Sequence, residues 1–325
     1  MILLWRKRVL VAAVALCLVA ASGVSRAEEL DSQAKPRWEL SMRSWMFTNG
    51  ETTWGHNASG SYPLLGNPTS KLTYKDNNTH ILEFGAKFNI SKRWFLRGEG
   101  GFSVALDRGS FVDQDYLAGQ YLYLQTKSDI SGSGTWYVNG DLGFRAVEFR
   151  NGRGYLDVFG GLQYWRTKYE ATGLDVQVCD SGIVTPCPAS HSGGLMITNT
   201  TQWITPLRIG IDTEYRFTRW FSVDGKVAVS PISVLYNEDR HEQRSDLQKP
   251  SFTMWGAGAS VDADVGVKVM LTKNLALTGG YRVWWNVIYS GTMENHPVGY
   301  ASQSFPLTEF QTLRHGPTVG LTASF

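Results

Sequence analysis

The sequence predicts an all-β chain closed into a ten-stranded antiparallel transmembrane β-barrel with long extracellular loops. Three observations predict it. Ten segments alternate apolar and polar residues with a period of two, which turns successive side chains to opposite faces of a strand. The polar faces carry charges of both signs in mid-strand, which suits a hydrated lumen better than the dry interior of a sandwich. Aromatic residues (12 Trp, 14 Tyr and 15 Phe) recur near the strand ends, where a membrane barrel places its interfacial girdles.

The chain divides into an export leader, residues 1–27, and a barrel, residues 28–325. Arg6-Lys7-Arg8 is a positive n-region, Val9 to Ala21 a short apolar core, and Ser25-Arg26-Ala27 supplies small residues for cleavage. That core is too short for a membrane helix, which needs about 20 residues. The leader holds four basic residues and no acidic ones, so the mature chain carries 27 Lys+Arg against 29 Asp+Glu. Its net charge of −2 gives no reason to expect a nucleic-acid partner. Cys17 leaves with the leader. Cys179 and Cys187 remain as an even pair in an exported chain, which predicts one disulfide closing a small loop.

After a polar lead-in at 28–35, the first strand is expected at 37–47, with Trp38, Leu40 and Met42 opposite Glu39, Ser41 and Arg43. The second, 78–90, sets Leu82, Phe84, Phe88 and Ile90 against Glu83, Lys87 and Asn89. Ser91-Lys92 turns into the third, where Trp94, Leu96, Phe102 and Val104 oppose Arg97, Glu99 and Ser103. The fourth, 134–147, shows Trp136, Val138, Leu142 and Phe144 against Asn139, Asp141 and Arg145. Asn151-Gly152 is a hairpin signal, and the fifth strand alternates Leu156, Val158 and Leu162 with Asp157 and Gln163. The sixth places Leu207, Ile209 and Ile211 against Arg208 and Asp212, and the seventh Val223, Val227 and Val229 against Asp224 and Lys226. The eighth, 254–271, is the clearest, apolar at every odd position from Trp255 to Leu271. Thr272-Lys273-Asn274 turns into the ninth, with Leu277, Tyr281, Val283 and Trp285. The tenth ends the chain with Leu313, Val319, Leu321, Ala323 and Phe325. Its alternating, Phe-terminated close resembles the C-terminal assembly signal of bacterial outer-membrane proteins.

The connections near 91, 151, 218 and 273 are short, and those near 48–76, 105–133, 170–200, 232–253 and 290–310 are long. Short turns face the periplasm and long loops the exterior in such barrels. A strand crosses with about 9–11 residues, so the longer eighth strand predicts a barrel standing well above the bilayer. Two of the long segments carry chemistry. Asp239 and His241 lie two residues apart, so an extended backbone turns both the same way, and a carboxylate beside an imidazole fixes its tautomer and strengthens it as a base. Asp113 and Asp115 repeat that spacing. Parity along the third strand turns both aspartates inward, whereas parity along the seventh turns Asp239 and His241 outward. Bringing the two pairs together needs one register change, and Pro231 is a suitable site for a bulge.

With ten strands, five outer loops, Val112-Asp113-Gln114-Asp115-Tyr116 and Asp239-Arg240-His241, the chain resembles the omptins, outer-membrane proteases of Gram-negative bacteria. The resemblance implies a cell-surface endopeptidase in the outer membrane, its site facing the exterior. His241 would activate a water, Asp239 would orient His241, and Asp113 with Asp115 would position the water or the intermediate. It implies peptide or protein substrates, outer-membrane lipid as a partner, no cofactor or metal, and lipopolysaccharide as an activator. Omptins cleave beside basic residues using acidic side chains in the first and fourth loops. Glu51 is the candidate for the first, and Glu238 for the second, because the matching position is Asn237. Arg166 fits the family's lipopolysaccharide-binding wall, where Gln202 replaces a basic residue.

Other constellations carry less. His241-Glu242-Gln243-Arg244-Ser245 lacks the second histidine of a zinc-protease helix, and Gly98-Glu99-Gly100-Gly101 falls within a strand, as a bend rather than a phosphate loop. Two further classes stay open. A non-enzymatic barrel could act as an adhesin or ligand-binding protein, keeping the Asp and His positions by descent. A lipid hydrolase would need a serine matched to a membrane-level base such as His315.

Overall fold

The computed structural model describes residues 36–46, 50–149 and 152–325. The expected leader lies outside them, as do Phe47 and Asn151. Among the described residues all regular secondary structure is strand, in the order β1 (Trp38–Met46), β2 (Gly50–His56), β3 (Ser70–Asn89), β4 (Trp94–Leu117), β5 (Tyr121–Glu148), β6 (Gly154–Cys179), β7 (His191–Arg216), β8 (Phe221–His241), β9 (Leu247–Met270), β10 (Leu275–Pro297) and β11 (Gln303–Ser324). Each strand from β3 onward pairs antiparallel with its sequence neighbours, and β1 and β2 each pair with both β3 and β11. They occupy one position in the ring, lower and upper, so the barrel closes with ten positions and no free edge.

Most of each long connection is itself strand. β5 runs for 28 residues and β6 and β7 for 26 each, far beyond the about 9–11 that cross a bilayer. The upper hairpins end in turns near 57–69, 118–120, 180–190, 242–246 and 298–302. An outward-facing apolar belt surrounds the lower half, including Leu40, Phe84, Leu96, Leu142, Ile209, Val267 and Leu321. Trp38, Trp94, Trp220 and Phe325 mark its lower rim. Above the belt the outer wall turns polar, so the upper half of the barrel stands in water.

The inward face of the lower half carries the mid-strand charges, which pair with one another around a cavity lined by Arg43, Lys87, Arg97, Glu99, Asp264 and Lys268. Arg208 donates to Asp141 and Asp262 at 2.6 and 2.7 Å, and Arg97 to Asp141 and Asp212 at 2.9 and 2.5 Å. Arg282, fully buried, holds both Glu83 and Asp264. Shared carboxylates offset the desolvation of so many buried charges, because each keeps several charge-assisted hydrogen bonds. Glycine makes room for this packing: a Cβ on Gly143 would stand 2.0 Å from the Phe95 ring. Above the charges an aromatic layer spans the lumen. Trp165 stacks on Tyr137 at 5.3 Å, and the Trp284 ring stands edge-on to Trp165 at 4.6 Å and to Trp45 at 5.1 Å. The expected hydrated lumen is therefore closed at this level, and the upper cleft rests on a solid floor.

Candidate active site

Asp113 and Asp115 project from the upper end of β4, and Asp239 and His241 from the upper end of β8. Three strands separate β4 from β8 in the ring, so the pairs approach each other from opposite walls. On β4 the odd positions face inward below and above, from Phe95 to Phe111, and carry both aspartates with them. On β8 the inward face changes. Lys226, Ala228 and Ser230 are buried below, and Ser233, Leu235, Asn237 and Asp239 above. Between them Pro231 and Ile232 are both exposed, and Ser230 pairs with Ser260 while Ser233 pairs with Gly258. One extra residue in β8 makes this a bulge at the proline, which has no N–H to give to the ladder. It turns Asp239 and His241 into the cleft.

His241 Nε2 stands 3.3 Å from Asp239 Oδ1. Asp239 is fully buried, whereas the His241 side chain is 16% exposed, so the carboxylate sits beneath and the imidazole meets the opening. Asp239 Oδ2 accepts from Tyr74 Oη at 3.0 Å and from Asn199 Nδ2 at 2.7 Å. Asn199 is held in turn by Asn237 and Thr201, all three buried. The Ser251 hydroxyl accepts the His241 N–H at 3.0 Å, and the Phe252 ring stands edge-on to the imidazole at 5.1 Å. On the facing wall Ser70 lies opposite Asp115 in the β3–β4 ladder and donates to Asp113 at 3.5 Å.

The electrostatics set the two walls apart. Burial, followed by the charge of Asp115, pushes the Asp113 carboxyl up to about 8, against the opposing pull of His241. Burial raises Asp115 as well, against a Ser70 hydrogen bond and His241. Burial alone would lower His241, but the adjacent Asp239 carboxylate at 3.3 Å, with Asp113 beyond, leaves it raised. Asp113 feels the charges of Asp115, His241 and Asp239, and Asp115 that of His241, so the two walls are electrostatically linked. A base with an orienting carboxylate thus faces an acid that still carries its proton near neutrality.

The other candidates stand elsewhere. Inward positions are odd on β1, where Trp45 is buried, but even on β2, where Thr52 meets Tyr169 and Thr312 inside the lumen while Thr53 bonds Glu51 and Thr73 on the other face. Glu51 is therefore on the outer wall, accepting from Thr53 at 3.1 Å. Glu238 is also on the outer wall, between Tyr236 at 2.8 Å and Arg240 at 3.3 Å. Neither reaches the cleft, because the parity that turns Asp239 inward turns its neighbour outward. Arg166 lies on the outer wall as expected, between Trp136 and Gln202 in the ladder. Gln202 accepts from the Tyr164 hydroxyl at 2.6 Å. Cys179 and Cys187 form the disulfide, at the tip between β6 and β7. Sequence reasoning missed Tyr74 and Asn199. Leu72 and Tyr74 alternate with Lys71, Thr73 and Lys75, a short period-two signal that marks Tyr74 as inward. Asn199 lies in the wholly polar run Thr198-Asn199-Thr200-Thr201-Gln202, which has no apolar face to find.

No protein-family model matches the chain, and no curated protein matches its sequence. Among solved structures, the outer membrane protease OmpT from Escherichia coli matches with a TM-score of 0.70 and 16% identity, covering 91% of this chain and 99% of that one. The outer membrane protein OprG from Pseudomonas aeruginosa gives 0.38 and 10%, covering 91% and 99%. The translocator domain of the autotransporter NalP from Neisseria meningitidis gives 0.36 and 9%, covering 91% of each. Of these three, OmpT shares the overall fold, over nearly its whole length. The chain has the fold of an outer-membrane β-barrel, with the architecture of OmpT.

Proposed function

We propose that the chain is a divergent omptin, an endopeptidase of the outer membrane that hydrolyses peptides at the cell surface. The observation that carries this reading is the pair Asp239–His241, held 3.3 Å apart above a closed floor and turned toward Asp113 and Asp115. His241 commits Nε2 to Asp239, so Nδ1 takes the proton of a water bound between the two walls. That water attacks the peptide carbonyl, and Asp113, protonated near neutrality, donates a hydrogen bond to the developing oxyanion. Burial, and after it the charge of Asp115, keep the proton on Asp113. The imidazolium then passes its proton to the departing amine as the C–N bond breaks. Water is the nucleophile, so neither a serine nor a cysteine is required.

Lipopolysaccharide is the activator in this reading, bound on the wall that carries Arg166, and the cleft faces the exterior. The test is refolded protein in micelles with lipopolysaccharide, incubated with a library of short peptides and read by mass spectrometry. Cleavage of internal peptide bonds, insensitive to serine-protease inhibitors and to chelators, is expected. A folded protein that cleaves nothing overturns the reading in favour of a barrel that only binds ligands.

A further inference from the structure

Tyr74 lies on β3 and Asp239 on β8, strands that are not neighbours in the ring, yet they share a hydrogen bond across the lumen. Tyr74 is fully buried. Its ring stacks on Tyr169 at 4.9 Å and 13° and packs against Phe111 at 4.7 Å. Tyr169 Oη in turn lies 3.2 Å from Thr52 Oγ1. The phenol is thereby aimed by the two rings packed against it, one of them anchored by Thr52, and its hydroxyl reaches Asp239. In the β3–β4 ladder Tyr74 pairs with Phe111 and Leu72 with Asp113, so the strand that carries the phenol also aligns the aspartate wall. The phenol reaches from one wall to the other.

We propose that Tyr74 is a positioning residue that locks the Asp239–His241 pair against the Asp113–Asp115 wall, an inference that rests on the peptidase reading of this site. Asp239 has two oxygens with separate tasks. Oδ2 takes the Tyr74 hydroxyl and the Asn199 amide, and Oδ1 is turned to His241. Two donors on Oδ2 fix the rotation of the carboxylate. They also draw charge away from Oδ1, which limits how strongly Asp239 holds an imidazolium. Burial and the adjacent Asp239 keep the Tyr74 hydroxyl protonated at any working pH, so toward the Asp239 carboxylate it acts as a donor. The other charges that bear on His241 are Asp113 and Asp115 from β4 and Arg244 and Asp246 from the β8–β9 turn. Lys249 donates to the His241 carbonyl. Tyr74→Phe changes none of these, so any change at His241 passes through Asp239.

The experiment measures the His241 imidazole titration by NMR in ring-labelled protein, in wild type, Tyr74→Phe and Tyr169→Phe, with the signal assigned by its loss in His241→Ala. Tyr74→Phe should raise the His241 pKa, while Tyr169→Phe, which keeps the stack and the site hydroxyl, should leave it in place. Where peptide hydrolysis is observed, Tyr74→Phe should lower kcat about tenfold or more with little change in KM, since Asp239 loses a hydrogen bond that orients it toward His241. The acid limb of the pH profile should move upward with the imidazole. An unchanged titration in Tyr74→Phe, or an equal shift in Tyr169→Phe, overturns the role of Tyr74. Absence of hydrolysis in wild type overturns the peptidase reading instead, and the titration still decides whether Tyr74 tunes the pair.

Discussion

Asp113→Asn tests the division of labour in the site. Burial and the neighbouring Asp115 push the Asp113 carboxyl from the ordinary 3.8 up to about 8. With that value roughly nine molecules in ten hold the proton at pH 7 and about one in ten at pH 9. If the protonated form is the oxyanion donor, kcat/KM in wild type should fall along an alkaline limb centred near pH 8, dropping close to tenfold for each further unit. The acid limb belongs to His241, raised above its ordinary 6.5, so the profile should be a narrow bell. Asp113→Asn removes the titrating group. The alkaline limb near 8 should vanish, and the remaining rate should lie about 10²-fold or more below wild type. Stability should respond in the opposite sense. A carboxyl raised in the folded state contributes fully only below its unfolded value near 3.8, and that contribution is lost as pH rises through about 8. Asp113→Asn should therefore gain thermal stability over wild type at pH 9, and about half as much at pH 6, because the loss accrues evenly between 3.8 and about 8. Initial rates on one peptide from pH 5 to pH 10, with unfolding followed by heat-modifiable migration, give both readings. An alkaline limb near 8 that persists in Asp113→Asn would refute the assignment of the proton to Asp113.

Glu51→Gln and Glu238→Gln should leave the ratio of cleavage beside Arg to cleavage beside Leu unchanged, since both side chains lie on the outer wall. A selective loss beside Arg, measured by competition between paired peptides, would contradict that placement. Reducing the Cys179–Cys187 disulfide should leave the barrel's resistance to heat in place, because the bond closes a hairpin tip while the strand ladders close the ring. Arg282→Met should destabilise the fold by about 3–5 kcal/mol in urea titrations, because Glu83 and Asp264 are left buried without their shared partner.

The membrane belt was the legible part of the fold. There one face of each strand meets lipid and the other a charged lumen, so Trp255 to Leu271 hold an apolar residue at every odd position and the strand can be read directly. Higher up both faces meet polar surroundings. Residues 191–203 and 110–117 have no such contrast, and read as loops although they are strand. The bulge at Pro231 could be anticipated because parity demanded it and proline cannot serve a central ladder. The change of inward parity between β1 and β2 had no comparable mark in the sequence, so the outer-wall placement of Glu51 was not legible there. The candidate Asp-x-Asp and Asp-x-His motifs were visible as spacing alone. Tyr74 and Asn199, which aim Asp239, come from strands remote in sequence and become partners only when the ring closes.

The central claim is that His241, oriented by Asp239, activates water for peptide hydrolysis. The most direct measurement compares wild type, His241→Ala and Asp239→Asn on one cleaved peptide in the same lipopolysaccharide micelles, each variant first shown to be folded by heat-modifiable migration. Each substitution should lower kcat by about 10²–10⁴-fold, the usual worth of general-base help, while the barrel stays intact. Peptide cleavage by folded His241→Ala at the wild-type rate would contradict the account.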